Sequence, residues 1–156
     1  MNQMRRRTLK AGGGAALLAL LTAAGIVRPG ESLAADWNKI AFEVKTTQDA
    51  LKALGASGAV NSADIVIRAA DIAENGAVVP VGVESKIPGT QSISILIDKN
   101  PSALAASFDI PSGTEPSVTT RVKMGQTSDV YALVKADGKF YMAKKEIKVT
   151  LGGCGG

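Results

Sequence analysis

From Ala63 to Leu151, apolar residues recur at every second position in short runs, and turn-forming residues separate the runs. A period of two marks half-buried strands, because successive side chains of a strand point to opposite faces of its sheet. Ile65, Ile67 and Ala69 alternate with Asp64, Val66 and Arg68. Asn75-Gly76 follows, then Val78 to Val83, which reads as a hairpin with an Asn-Gly turn region. Ile93, Ile95 and Ile97 alternate with serine and leucine until Asp98-Lys99-Asn100-Pro101 stops the strand. Val118, Thr120, Val122 and Met124 form one face against Thr119, Arg121 and Lys123. Asp129 to Lys135 and Lys139 to Ala143 flank Ala136-Asp137-Gly138, a strong hairpin signal, and Glu146, Lys148 and Thr150 then alternate with Ile147, Val149 and Leu151. About seven short strands at this spacing predict an all-β chain, an immunoglobulin-like β-sandwich rather than a barrel.

A short N-terminal helical segment precedes the strands. Trp37, Ile40, Ala41 and Val44 fall at helical spacing, and Thr46 with Asp49 resembles a capping box opening a second helix that ends at Gly55.

Residues 1–35 read as a cleaved export signal. Met4-Arg5-Arg6-Arg7-Thr8-Leu9-Lys10 fits the twin-arginine pattern, with Arg5 and Arg6 as the pair and Leu9-Lys10 closing it. An uncharged stretch from Ala11 to Val27 follows, and Ser32-Leu33-Ala34 with Ala35 offers small residues for cleavage after Ala34 or Ala35. That stretch has 17 residues, at the lower limit for a bilayer span, and its glycines lower its hydrophobicity. No stable membrane insertion is expected after cleavage. Gly12-Gly13-Gly14 lies inside the signal and is no phosphate loop. The reading divides the chain into the signal, a single sandwich domain over 36–151, and a C-terminal arm over 152–156. Twin-arginine export places the folded domain in the periplasm.

Removing the signal changes the electrostatics. The chain carries 18 Lys and Arg against 14 Asp and Glu. Five of the basic residues (Arg5, Arg6, Arg7, Lys10, Arg28) and one acidic residue (Glu31) lie in the signal, leaving a neutral mature chain with 13 of each. Nucleic-acid binding would call for a basic face on the folded domain. The few aromatics, Trp37, Phe42, Phe108, Tyr131, Phe140 and Tyr141, also make poor material for stacking on single strands.

The chain has one cysteine and no histidine. Without histidine there is no Cys-His or Ser-His nucleophile pair and no histidine metal site, which argues against a self-contained hydrolase. No cofactor is expected. A leftover cysteine in an exported protein points to intermolecular pairing or to a reactive thiol. Cys154 sits within Gly152-Gly153-Cys154-Gly155-Gly156, where glycine's conformational freedom presents a thiol rather than packing one. From Leu151 to Cys154 the chain extends roughly 10 Å, and fraying back to Lys148 would double that reach. An arm whose only side chain is a thiol can enter a narrow channel in another protein without desolvating a charged side chain. An unperturbed thiol, with a pKa near 8.5, is only a few per cent thiolate at pH 7, and the Gly156 carboxylate disfavours the thiolate further. Any chemistry at Cys154 must come from what the arm enters.

Other residues have two readings each. Glu74-Asn75-Gly76 is a turn former first and a partner contact second. Arg121 reads as a solvated strand-face arginine, with guidance of an anionic adduct as the alternative. Lys144, Lys145 and Lys148 either attract an anion or an acidic surface to the base of the arm, or protect an edge strand from aggregation.

Val149-Thr150-Leu151-Gly152-Gly153-Cys154-Gly155-Gly156, Ala73-Glu74-Asn75-Gly76-Ala77-Val78-Val79-Pro80-Val81, Thr120-Arg121-Val122-Lys123-Met124 and the twin-arginine start together resemble the SoxY family. These are the sulfur-carrier subunits of the periplasmic Sox thiosulfate-oxidation system. The resemblance implies an immunoglobulin-like domain that pairs with a SoxZ-like subunit as a heterodimer and carries sulfur intermediates on Cys154. It further implies that a SoxAX-like c-type cytochrome joins thiosulfate to the thiol and that a SoxB-like manganese hydrolase releases sulfate. A SoxCD-like sulfur dehydrogenase, where the organism has one, oxidises the remaining sulfane. Haem, manganese and molybdenum belong to those partners, and the carrier itself is not an enzyme. Two other classes fit parts of the sequence. One is an exported immunoglobulin-like binding module that self-associates through a Cys154 disulfide; the other is a diglycine carrier activated at its terminal carboxyl as a thiocarboxylate, which works in the cytoplasm.

Overall fold

The computed structural model describes residues 38–150. Residues 1–37 and 151–156, which include those read as an export signal with its cleavage site and as a cysteine-bearing arm, lie outside the described residues.

Helix α1 spans Lys39–Glu43 and α2 spans Thr47–Ala53. The Asn38 side chain caps α1 by accepting from the Ala41 N–H, and the helix stops at Val44, whose backbone is extended. Helical spacing placed Ile40 on the same face as Ala41. Ala41 is buried, but Ile40 is 68% exposed, because a helix of five residues has too little length to bury a full stripe. At α2 the Thr46 hydroxyl oxygen accepts from the Asp49 N–H at 3.1 Å and the hydroxyl donates to the Asp49 carboxylate at 2.7 Å. The hydrogen bond from Thr46, with Lys52 nearby, holds Asp49 below the usual carboxylate range. Gly55 ends α2 at a φ of 72°. Its N–H bonds to the Lys52 carbonyl and the Ala56 N–H to the Leu51 carbonyl, the paired pattern of a Schellman cap.

Among the described residues the strands are β1 Val60–Asn61, β2 Ile65–Arg68, β3 Ile72–Ala73, β4 Val79–Ser85, β5 Thr90–Ile97, β6 Leu104–Asp109, β7 Ser117–Val122, β8 Ser128–Ala136 and β9 Lys139–Val149. The larger sheet runs β1-β9-β8-β5-β6, with β3 also on β9; the smaller runs β2-β4-β7. Both β1 and β3 lie parallel to β9, at Tyr141–Met142 and Lys148–Val149 respectively, and the other pairs are antiparallel.

The facing sheets enclose Val79, Val81, Val83, Ile93, Ile95, Ile97, Val130, Val134 and Ile147, all at or below 1% exposure. Burying one such side chain contributes about 1.5–3 kcal/mol. The architecture is an immunoglobulin-like sandwich, as the alternation predicts. The outer face of the larger sheet is covered too. Leu96, Leu104 and Leu133 pack with Ala41, Ala50 and Ala56 of the helical segment, so β5 is buried on both faces along its second half. Ser94, 4% exposed on that covered face, meets the Ser107 hydroxyl at 2.9 Å.

Two sequence expectations change. Strands β2 and β4 do pair, from Ile65↔Ser85 to Arg68↔Gly82, but not as a simple Asn-Gly hairpin. Between them the chain crosses to the other sheet, forms β3 against β9, and returns through a turn in which the Asn75 side chain accepts from the Ala77 N–H and the Asn75 carbonyl from the Val78 N–H. The runs on either side of Lys144-Lys145 also merge into a single strand of 11 residues. The Asp137-Gly138 hairpin stands as read: φ values of 48° and 74° give the two left-handed residues of a type I′ turn.

Candidate functional site

Cys154, Gly152, Gly153, Gly155 and Gly156 lie outside the described residues, as do Arg5, Arg6, Leu9 and Lys10. The structure describes the root from which 151–156 continue. Fraying of β9 back to Lys148 would lengthen the reach of the residues beyond it, and the hydrogen bonds oppose such fraying. The Lys148 N–H bonds to the Asp71 carbonyl at 2.9 Å and the Thr150 N–H to the Ala73 carbonyl at 3.1 Å. Between them the Val149 N–H, pointing the other way, bonds to the Thr127 hydroxyl oxygen at 3.0 Å. Three consecutive residues are thus gripped from alternate sides, and freeing them sacrifices each of these bonds at about 0.5–1.5 kcal/mol apiece. The root is fixed at Thr150.

Gly76 completes the grip. A Cβ there would stand 2.3 Å from the Met124 carbonyl oxygen and 2.8 Å from a Val149 methyl, and the Met124 N–H donates to the Gly76 carbonyl at 2.7 Å. The Asn75-Gly76 motif is therefore structural, through close approach of backbones rather than through a left-handed glycine.

The three lysines of β9 differ. Lys144 lies 3.3 Å from Asp129, whose hydrogen bond and charge raise its ammonium above its ordinary value. Lys145 donates to the Ala69 carbonyl at 2.6 Å and pairs with Asp71 at 3.0 Å, which pins the crossing segment before β3 against β9. Lys148 is exposed and has no side-chain partner among the described residues. Strands β1 and β3 pair with β9 at Tyr141–Met142 and Lys148–Val149, so Lys148 lies on a paired stretch, whereas among the described residues no strand pairs with the same edge at Lys144 and Lys145. Arg121 is exposed on β7, where it sits opposite Pro80. Thr127 acts on the root from far away in the sequence, and no local motif marked it.

Among the described residues, no His, Cys, Asp and Glu side chains gather in a group of three or more that could hold a metal ion, and no helix is long and apolar enough to cross a membrane. The sandwich ends in a strand whose last residues are held fast.

Comparison with known proteins agrees with that reading of the architecture. No curated protein matches the chain. The structure of the sulfur carrier protein SoxY from Chlorobium limicola f thiosulfatophilum is similar to it, with 41% identity and a TM-score of 0.59, over 66% of this chain and 96% of that one. The model of the family described as sulfur oxidation protein SoxY matches residues 50–154, from α2 through the sandwich to the terminal cysteine. The chain belongs to the SoxY family of sulfur oxidation proteins.

Proposed function

We propose that this chain is a non-catalytic carrier which holds sulfur intermediates covalently on Cys154 and presents them to partner enzymes. The observation that supports it most is the family match running through residue 154, joined to a strand end gripped immediately before the glycines. A carrier needs a reactive atom on a tether and a firm origin for the tether; the sequence supplies the first two and β9 the third.

In this reading residues 1–35 direct export by the twin-arginine route and are removed, residues 36–151 form the mount, and 152–156 are the arm. The mature chain works in the periplasm with a SoxZ-like subunit. A SoxAX-like cytochrome takes two electrons as the Cys154 thiol and thiosulfate join, releasing one proton and leaving Cys154-S-S-sulfonate. Water then cleaves the terminal sulfur in a SoxB-like hydrolase, giving sulfate, two protons and a Cys154 persulfide anion. A SoxCD-like dehydrogenase, where present, oxidises that sulfane. The carrier contributes the sulfur nucleophile and its delivery, and no acid, base or metal.

Intact mass of the protein recovered from the periplasm tests this. The expected species begins at Ala35 or Asp36 and carries a reductant-removable sulfur adduct on Cys154, and Cys154→Ser neither carries it nor supports thiosulfate oxidation. A thiocarboxylate at Gly156, or disulfide-linked dimer as the sole modified form, would overturn the assignment.

A further inference from the structure

Strand β7 closes one side of the smaller sheet, and along Ser117–Val122 it pairs with β4 alone among the described residues, so its other edge is bare. Two hydrogen bonds just past the strand show which backbone groups that edge offers. The Met124 N–H donates to the carbonyl of Gly76, on the chain leading into β4, whereas the Lys123 carbonyl turns the other way and accepts from the Asn100 side chain at 2.7 Å. Successive residues of a strand bond to opposite sides, so Val118, Thr120 and Val122 face β4, while Thr119 and Arg121 hold their N–H and C=O groups out to the open edge. The register agrees: Arg121 lies opposite Pro80, which has no N–H to give.

Strand β6 faces this edge across a groove of about 380 Å³, lined by both strands and by the loop between β5 and β6. The edge of β6 is the poorer template. Ile95 pairs with Ala106 and Leu96 with Leu104, which leaves Ala105 as an extra residue that bends the strand, whereas the register of β7 is unbroken. The groove is also cationic, for Arg121 and Lys123 line it and no carboxylate does. Arg68, Lys144 and Lys145 are matched with Glu84, Asp129 and Asp71, but Arg121 and Lys123 have no ion-pair partner among the described residues. Charge on an edge strand deters pairing in general. Two cations on a regular edge deter selectively: a strand with carboxylates two positions apart meets them at cross-strand distance, and neutral or basic strands leave them unmatched or repel them.

We propose that the open edge of β7 is a docking site for an extended acidic segment of a partner protein, which adds a strand beside Ser117–Val122 and sets carboxylates two positions apart against Arg121 and Lys123. The backbone of Thr119 and Arg121 supplies affinity, and the two cations supply the choice of partner. No step of this involves Cys154, so it stands apart from the carrier reading.

The protein, with any copurifying subunit kept in place, is titrated with the synthetic peptide acetyl-Val-Thr-Asp-Val-Asp-Val-Thr-amide and with its counterpart in which asparagine replaces both aspartates. At saturation the acidic peptide should slow amide exchange at Thr119 and Arg121 by about tenfold or more, and Thr120 and Val122, which face β4, should keep their rates. The asparagine peptide should bind about fivefold or more weakly, a preference that disappears in about 0.5 M salt and in Arg121→Gln/Lys123→Gln. Equal affinity for the two peptides would overturn the proposal. So would amide shifts at Arg121 and Lys123 without slowed exchange, or the same response to inorganic phosphate, either of which would make the groove a site for small anions. Slowed exchange that grows with protein concentration before peptide is added would assign the edge to a second copy and also overturn it. If a copurifying subunit already protects the two amides, loss of that protection in the double variant supports the proposal, and protection indifferent to the variant overturns it. The carrier reading is decided separately, by the adduct on Cys154.

Discussion

At Gly76 the smallest side chain is required by the tightest place in the fold. The Met124 carbonyl that would meet a new Cβ at 2.3 Å is backbone, itself held by the bond from the Met124 N–H to the Gly76 carbonyl, so relief demands movement of a whole loop. Overpacking of this kind costs about 1–3 kcal/mol. Gly76→Ala should lower the melting temperature by about 4–10 °C. Gly125→Ala is the control, because nothing lies within 4 Å of its Cβ position, and it should leave stability unchanged within about 0.5 kcal/mol or raise it slightly. Equal losses in the two variants, followed by thermal melts, would show that crowding at Gly76 is not the cause. Asn75-Gly76 was legible in the sequence as a turn. Its second duty, holding Val149 at the root of the arm, was not, because the residues it touches lie 48 and 73 positions further along the chain.

At the level of the element, β9 is two strands in one: its first half closes the sandwich through the Asp137-Gly138 hairpin, and its last residues are held by the Asp71 and Ala73 carbonyls and the Thr127 hydroxyl. Thr127→Val keeps the shape of the side chain but removes the oxygen that accepts from the Val149 N–H. Leaving that donor unpaired costs about 1–3 kcal/mol locally, so amide exchange at Val149 and Thr150 should quicken by about tenfold or more while amides in β5 and β8 keep their rates. Unchanged exchange at Val149, measured by hydrogen–deuterium NMR, would mean that Thr127 does not anchor the strand. The sequence made β9 readable because its hairpin is local chemistry, two residues that accept a left-handed backbone between alternating runs. It concealed β1 and β3, whose two residues each carry no periodicity and become strands only by lying against β9. Strand β6 was concealed for a different reason. Leu104–Asp109 reads Leu-Ala-Ala-Ser-Phe-Asp, with no β-branched residue, and its pairing with β5 overrides a weak intrinsic preference.

For the whole molecule, the proposed function sets opposite requirements for the sandwich and for residues 152–156. The mount must resist deformation, which the core between the sheets and the grip on Thr150 provide. The arm must pass into a partner's active site, which in the proposed function is a channel wide enough for backbone and one thiol. Valine at Gly153 and Gly155 keeps the thiol, the length and the charge but adds branched side chains that widen the arm and restrict its backbone. The fold should be untouched, since those positions lie beyond the last anchored residue, and reaction of Cys154 with iodoacetamide should proceed within about twofold of the native rate, as exposed substitutions seldom disturb a domain. Thiosulfate oxidation with the partner enzymes should instead fall by about tenfold or more, because a single misplaced ångström at a reacting centre costs on that order. Normal turnover by the double valine chain would refute passage through a narrow channel even with Cys154 essential. It would leave a tether whose thiol is met at the surface, and the glycines would then matter for reach rather than for width.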